Sequence, residues 1–154
     1  MFMQLTEFTD NALRLLMYLG GHRDRVATIA EIAERYGVSR HHLAKVSCVL
    51  AAAGLIETSR GRLGGMRLAG SPRDIRLGDV MRCTERSLAQ AAVACDSDDR
   101  LQQSLAVATA AYLAELNRVT LADLLADDDG PQRAVPNWLM PDSWGRRHAL
   151  AEGA

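Results

Sequence analysis

The sequence predicts a mainly α-helical fold carrying one small β-hairpin, and three observations lead there. Aromatic residues make up only 5% of the 154 positions, and the 48% hydrophobic fraction is chiefly Ala, Leu and Val, which favours packed helices over a sheet sandwich. Apolar residues recur three and four positions apart in several segments, the period of a helix with a buried face. One short region alone, between Leu55 and Ala69, sets strand-like segments on either side of a glycine-rich tip.

The elements follow in order. "MQLTEFTDNALRLLMYLGG", Met3 to Gly21, predicts a helix with Leu13, Leu16, Met17 and Gly20 on one face, stopped by Gly20-Gly21. Thr28 and Glu31 stand at the spacing of a capping box, and Ile29, Ile32 and Ala33 then line a short helix that ends at Gly37. Ser39 stands where it can cap a second helix, Arg40 to Ala53. Its Leu43, Val46, Leu50 and Ala53 recur at three, four and three residues and form a buried side, and Gly54 closes it. Two short helices across the tight turn Gly37-Val38-Ser39 make a helix-turn-helix. "LIETSR" and "MRLA" then flank "GRLGG", whose three glycines in five residues suit a hairpin tip. A hairpin directly after a helix-turn-helix is a wing, so residues 3–76 read as a winged helix-turn-helix DNA-binding domain.

Ser71 to Asp74 is a turn, and "IRLGDVMRCTERSLAQAAVA" is helical at its start. A long helix runs at least from Arg100 to Leu116. Leu101, Leu105, Ala108, Tyr112 and Leu116 form one apolar stripe, with Ala106, Ala110 and Leu113 beside it. A helix apolar over so much of its circumference needs a partner chain, so residues 77–126 read as a dimerisation and sensor region of a homodimer. Residues 127–154 are punctuated by prolines, lack periodicity, and read as a flexible C-terminal tail.

The net charge of −1 conceals a polarity. Ser39 to Arg76 carries seven bases against two acids, whereas Leu77 to Asp129 carries four bases against ten acids. A basic segment inside a near-neutral chain suits a polyanion, and its place within the motif points to double-stranded DNA. The N-terminal part of the second helix would meet base edges in the major groove, which nominates Ser39, Arg40, His41, His42 and Lys45. Lys45 is the only lysine of the chain. At the wing tip Arg60 and Arg62 flank Gly61, placed for phosphate or minor-groove contact. A dimer would present two such helices to a pseudo-palindromic operator.

Other classes find less support. The sequence holds no phosphate-binding glycine loop, nucleophile elbow or paired-histidine metal motif, and its four histidines form no ligand spacing with the cysteines; no enzyme is expected. There is no apolar run long enough for a membrane span and no basic-then-apolar leader pattern, and three cysteines make no disulfide framework. The expectation is a soluble cytoplasmic protein.

On the stretches "MQLTEFTDNALRLLMYL", "IAERYGVSRHHLAKV", "AAGLIETSRGRLGGMRLA", "IRLGDVMRCTE" and "YLAELNRVTLADLL", in order over about four-fifths of the chain, the sequence resembles the NsrR/IscR family of winged-helix transcriptional regulators. It is most similar to the nitric-oxide-sensing NsrR branch. The resemblance implies a dimeric repressor whose long helix crosses its counterpart. It also implies an iron–sulfur cluster held by three loop cysteines, with an aspartate at the position of Asp10 as a further ligand from the other subunit. Here the loop keeps Cys95 alone, and Asp99 stands where the family has its last cysteine.

That departure leaves two readings of "CDSDD". Asp96, Asp98 and Asp99 suit the entrance of a helix, where carboxylates cap N–H groups and meet the positive end of the dipole. Alternatively Cys95 and Asp10 belong to a cluster site with non-standard ligands. Cys83 and Cys95 are also candidate sensor thiols, although Cys83 equally suits a small buried apolar position. The sequence thus predicts a sequence-specific DNA-binding regulator, a repressor answering a redox, nitrosative or small-molecule signal. The alternatives are an iron–sulfur nitric-oxide or redox sensor, and a winged-helix interaction module that does not bind DNA.

Overall fold

The computed structural model describes residues 5–61, 64–85 and 99–126. Along the chain lie α1 (Glu7–Gly21), α2 (Ile29–Tyr36), α3 (Arg40–Ala52), β1 (Ile56–Ser59), β2 (Gly65–Leu68), α4 (Leu77–Thr84), α5 (Arg100–Leu116) and α6 (Leu121–Ala126). This is the expected mainly α fold with a hairpin wing; residues 86–98, with Cys95, and the expected tail 127–154 lie outside the described residues.

Helix α1 begins at Glu7, because the Thr6 side chain accepts from the Thr9 N–H and caps the helix there, with Glu7 and Asp10 in the first turn. The single apolar face predicted for it is too narrow. Nine of its fifteen residues are buried, from Thr9 round to Leu19, because α2, α3, α4, α6 and β2 all pack on it. Gly20 lets α6 come close: a Cβ there would lie 2.5 Å from Leu125 Cδ1.

Helix α2 starts in the predicted capping box, with Thr28 Oγ1 accepting from the Glu31 N–H and the Glu31 carboxylate accepting from the Thr28 N–H. Gly37 ends it at φ 64°, a left-handed setting that favours glycine. On α3, Leu43, Val46 and Leu50 are buried as expected, each apolar side chain contributing about 1.5–3 kcal/mol. Ala53 is not part of that side. It is the exposed C-cap, and Gly54 at φ 72° turns the chain away before the next apolar position is reached. Ser39 occupies the N-cap position of α3, but its side chain makes no capping bond.

The hairpin pairs Ile56 with Leu68, Glu57 with Arg67, Thr58 with Met66 and Ser59 with Gly65. Ile56, Met66 and Leu68 face the core, and Glu57 and Arg67 form an ion pair at 2.7 Å on the outer side. Ala27 exchanges two backbone bonds with Met66, at 2.9 and 2.8 Å, so the hairpin is tied to the entrance of α2.

Beyond the hairpin, α4 packs on both α1 and α5. Gly78 is the contact point with α5: an added Cβ would stand 2.1 Å from Asn117 Oδ1 and 2.7 Å from the Leu113 carbonyl oxygen. Helix α6 opens with a second reciprocal cap, in which Asp123 accepts from the Thr120 N–H at 2.8 Å and Thr120 Oγ1 accepts from the Asp123 N–H. One hydrophobic core runs from Leu13 and Leu16 through Leu43 and Leu50 to Leu113, Leu121 and Leu124.

Two glycines of similar helical setting should respond oppositely to alanine. Gly78→Ala meets backbone and a buried amide, and is expected to cost about 1–3 kcal/mol. Gly21→Ala meets nothing within 4 Å and should be neutral or stabilise by about 0.4–1 kcal/mol. Urea unfolding followed by circular dichroism separates the two.

Candidate nucleic-acid interface and sensor region

The first two turns of α3 carry most of the predicted DNA-facing residues. With Leu43, Val46, Ser47 and Leu50 turned inward, the helical period leaves Ser39, Arg40, His41, Lys45 and Cys48 exposed. His42 differs from its neighbours. It is half-buried, its ring tilted against Phe8 of α1 at 6.1 Å, so it supports the helix from the side. Arg60 is exposed where the chain leaves β1, and Gly61 follows at φ 110°. Arg62 lies outside the described residues. Arg40, Lys45 and Arg60 make no ion pair with an acid among the described residues, whereas Arg67 is committed to Glu57 and Arg76 donates to the Asn117 carbonyl at 2.8 Å.

Electrostatically the start of α3 stands apart from the other helices. Helices α1, α2 and α4 carry an acid in the first turn, and α5 is capped by Asp99. Helix α3 has neither an acidic first turn nor a side-chain cap, so the positive end of its dipole, with Arg40 and His41 beside it, favours an anion.

A polar cluster between α1 and α2 went unseen in the sequence. Glu31, beyond its capping role, accepts from Tyr18 Oη at 2.5 Å and from Arg25 Nη1 at 3.0 Å, with Arg25 Nη2 also on its Oε1. The Arg25 bond, then the Tyr18 bond, hold the Glu31 carboxyl at a pKa of about 2. The same bond to Glu31 pushes the Tyr18 phenol up. Tyr18 also stacks on His22 at 4.2 Å and meets the Tyr36 ring edge-on at 6.2 Å. The capping-box spacing signalled Glu31, but nothing local signalled that Tyr18 and Arg25 converge on it.

Of the candidate sensor thiols, Cys83 is half-buried on α4, its thiol donating to the Val80 carbonyl at 3.1 Å, and burial pushes its pKa up. That is a setting that suits a small apolar residue. Asp10 pairs with Arg14 of its own helix at 2.8 Å. Among the described residues no three His, Cys, Asp or Glu side chains gather as a metal site. Cys95, Asp96 and Asp98 lie outside those residues. Asp99 is a helix cap, its Oδ1 accepting from the Leu101 N–H at 2.9 Å.

Helix α5 distributes its apolar residues differently from the two predicted stripes. Ala106, Leu113 and Leu116 are buried on the body of the chain, while Ala110 and Ala108 are exposed and Tyr112 is half-buried. Leu101, Val107 and Leu105 remain 64%, 68% and 50% exposed. Among the described residues no helix is long and apolar enough to cross a membrane.

Comparison with known proteins agrees with this architecture. The Rrf2 family model, described as an iron-dependent transcriptional regulator, matches residues 5–127. The HTH-type transcriptional regulator NsrR of Halalkalibacterium halodurans is 41% identical over 138 residues, covering 82% of this chain and 93% of that protein. The NsrR of Shouchella clausii is 39% identical, with 82% and 91% covered. The solved structure of T. potens IscR superposes with a TM-score of 0.68 at 29% identity, covering 90% of this chain and 97% of that one. These relatives are regulators rather than enzymes, and their fold and NsrR-like sequence are those of this molecule. The chain belongs to the Rrf2 family of transcriptional regulators.

Proposed function

We propose that this regulator is a homodimeric, cytoplasmic repressor that reads a pseudo-palindromic double-stranded operator with α3 and the wing. It releases that operator on a redox, nitrosative or small-molecule signal. The observation that carries the reading is the N-terminal half of α3, where Arg40, His41 and Lys45 are exposed around an uncapped helix start. Phosphate would bind the free N–H groups and Arg40, leaving His41 and Lys45 to meet base edges or the flanking backbone. Arg60 and Arg62 of the wing would hold the adjacent backbone or minor groove, and Ser39 would donate to a phosphate. His42 contributes by fixing the helix.

The dimer reading rests on Leu101, Leu105 and Val107, three large apolar side chains exposed on one helix, which is the kind of surface a partner covers. Residues 77–126 would then serve as the dimerisation and sensor region. For the signal, Cys95 is the only cysteine of residues 86–98 and Cys83 is half-buried with its thiol on the Val80 carbonyl, which supports thiol chemistry at Cys95 or a small ligand over a cluster built from these residues.

The DNA reading has a salt signature. Lys45→Ala should weaken binding to a duplex selected by the wild type and lower the slope of log K against log salt by about one per protomer. Fluorescence anisotropy between about 50 and 200 mM salt reads this; equal slopes for the two proteins would remove Lys45 from the interface. If the chain is instead an interaction module, alanine at Arg40, Lys45 and Arg62 leaves its partner binding unchanged.

Leu105→Glu places a charge in the proposed dimer face and should yield a folded monomer in sedimentation velocity, with duplex affinity reduced at least tenfold because two half-sites no longer act together. A dimer of unchanged stability would move the interface elsewhere. Protein purified without oxygen is expected to be colourless and low in iron and sulfide. Stoichiometric iron whose visible bands vanish on Cys95→Ala would establish the cluster alternative.

A further inference from the structure

One carboxylate oxygen joins the end of α4 to the first turn of α1. Glu85, the C-cap of α4, presents Oε1 to the Thr6 backbone N–H at 3.1 Å, the Thr6 hydroxyl at 2.6 Å and the Thr9 hydroxyl at 2.6 Å. Thr6 is the N-cap of α1 and Thr9 is wholly buried. The Thr9 hydroxyl has a second acceptor in Thr84 Oγ1 at 2.9 Å. It has one proton, and the charged oxygen is the nearer and stronger partner. Burial pushes the Glu85 carboxyl up, but the bonds from Thr6 and Thr9 outweigh it and bring the pKa below its ordinary value.

The same turn of α1 meets the helix-turn-helix on its other sides. Phe8 stands 6.1 Å from the His42 ring of α3. Asp10 pairs with Arg14, whose guanidinium lies 5.8 Å from the Tyr36 ring centre at the end of α2. Glu85 and the recognition helix are therefore separated by a single helical turn whose side chains touch both.

We propose that Glu85 is a positioning residue for the recognition helix. Its bonds to Thr6 and Thr9 fix the first turn of α1, and Phe8 carries that setting to His42 and hence to the start of α3. In the sequence Glu85 immediately precedes the segment that contains Cys95, so any event that draws the end of α4 away from α1 loosens the support of α3. This rests on the DNA-binding reading above, and its test includes a readout that needs no DNA.

The experiment uses the full chain, with Glu85→Ala and Thr9→Val breaking the contact from its two sides and Glu85→Gln keeping a weaker acceptor. The readouts are the ring resonances of His42, the melting curve, and the Kd for a duplex that the wild type selects from a random pool. Both breaking variants should shift the His42 resonances and weaken the duplex complex about five- to tenfold, with Glu85→Gln between them and the wild type. The Glu85→Ala/Thr9→Val double variant should bind no more weakly than either single, and in a Phe8→Leu background Glu85→Ala should have no further effect. Unmoved His42 resonances in folded variants overturn the proposal, as do additive losses of affinity or losses that follow the unfolded fraction alone. Should the wild type select no duplex, the DNA reading fails, and the His42 resonances alone then support or overturn the positioning role.

Discussion

The burial of α1 on nearly every side is the constraint on which the rest of the structure depends. A helix with nine of fifteen residues inside has no free face along which to slide, so each element packed on it is located by it. The cost is polar. Thr9 is satisfied by Glu85, and Arg14 by Asp10, while the Asn11 Nδ2 finds no hydrogen-bond partner among the described residues. An internal helix with this many polar groups is held by specific geometry as well as by apolar area.

That geometry explains why the exposed part of α3 is so well placed. Leu43, Val46 and Leu50 anchor it from below, Phe8 steadies His42 from the side, and the Tyr18–Glu31–Arg25 cluster fixes α2 on α1. Helices α1, α2 and α5 begin with a side-chain cap and α4 with an acid in its first turn, whereas α3 begins with neither and has Arg40 and His41 beside its start. Reading an anion-rich surface asks for that contrast: a rigid rear and an unsatisfied positive front.

The C-terminal half serves two purposes on one helix. The inner side of α5 closes on α4, where Gly78 admits Asn117, and elsewhere on the same helix Leu101, Leu105 and Val107 are exposed. Between the halves, Glu85 ends α4 against the beginning of α1. The residues proposed for dimerisation and sensing therefore meet those proposed for DNA reading through the shared apolar core around α1 and, at its edge, through the few bonds of Glu85.

Local chemistry made much of this legible from the sequence alone. The Thr28–Glu31 capping box, the Gly37 and Gly54 stops, the Leu43/Val46/Leu50 period and the glycine-rich hairpin tip are each set within a few residues, where propensity and capping act. The family resemblance followed from the same stretches. What the sequence could not determine was which of several apolar faces would be covered, and by what. Helix α1 reads as amphipathic but is buried on most sides, Ala53 reads as core but is exposed beyond the turn, and the stripes of α5 divide differently from their spacing. The convergence of Tyr18 and Arg25 on Glu31, and of Thr6 and Thr9 on Glu85, was equally hidden, the latter joining residues more than seventy positions apart. Such contacts arise only when separate elements pack, because a side chain's local neighbours fix its direction but the tertiary fold alone supplies its distant partner.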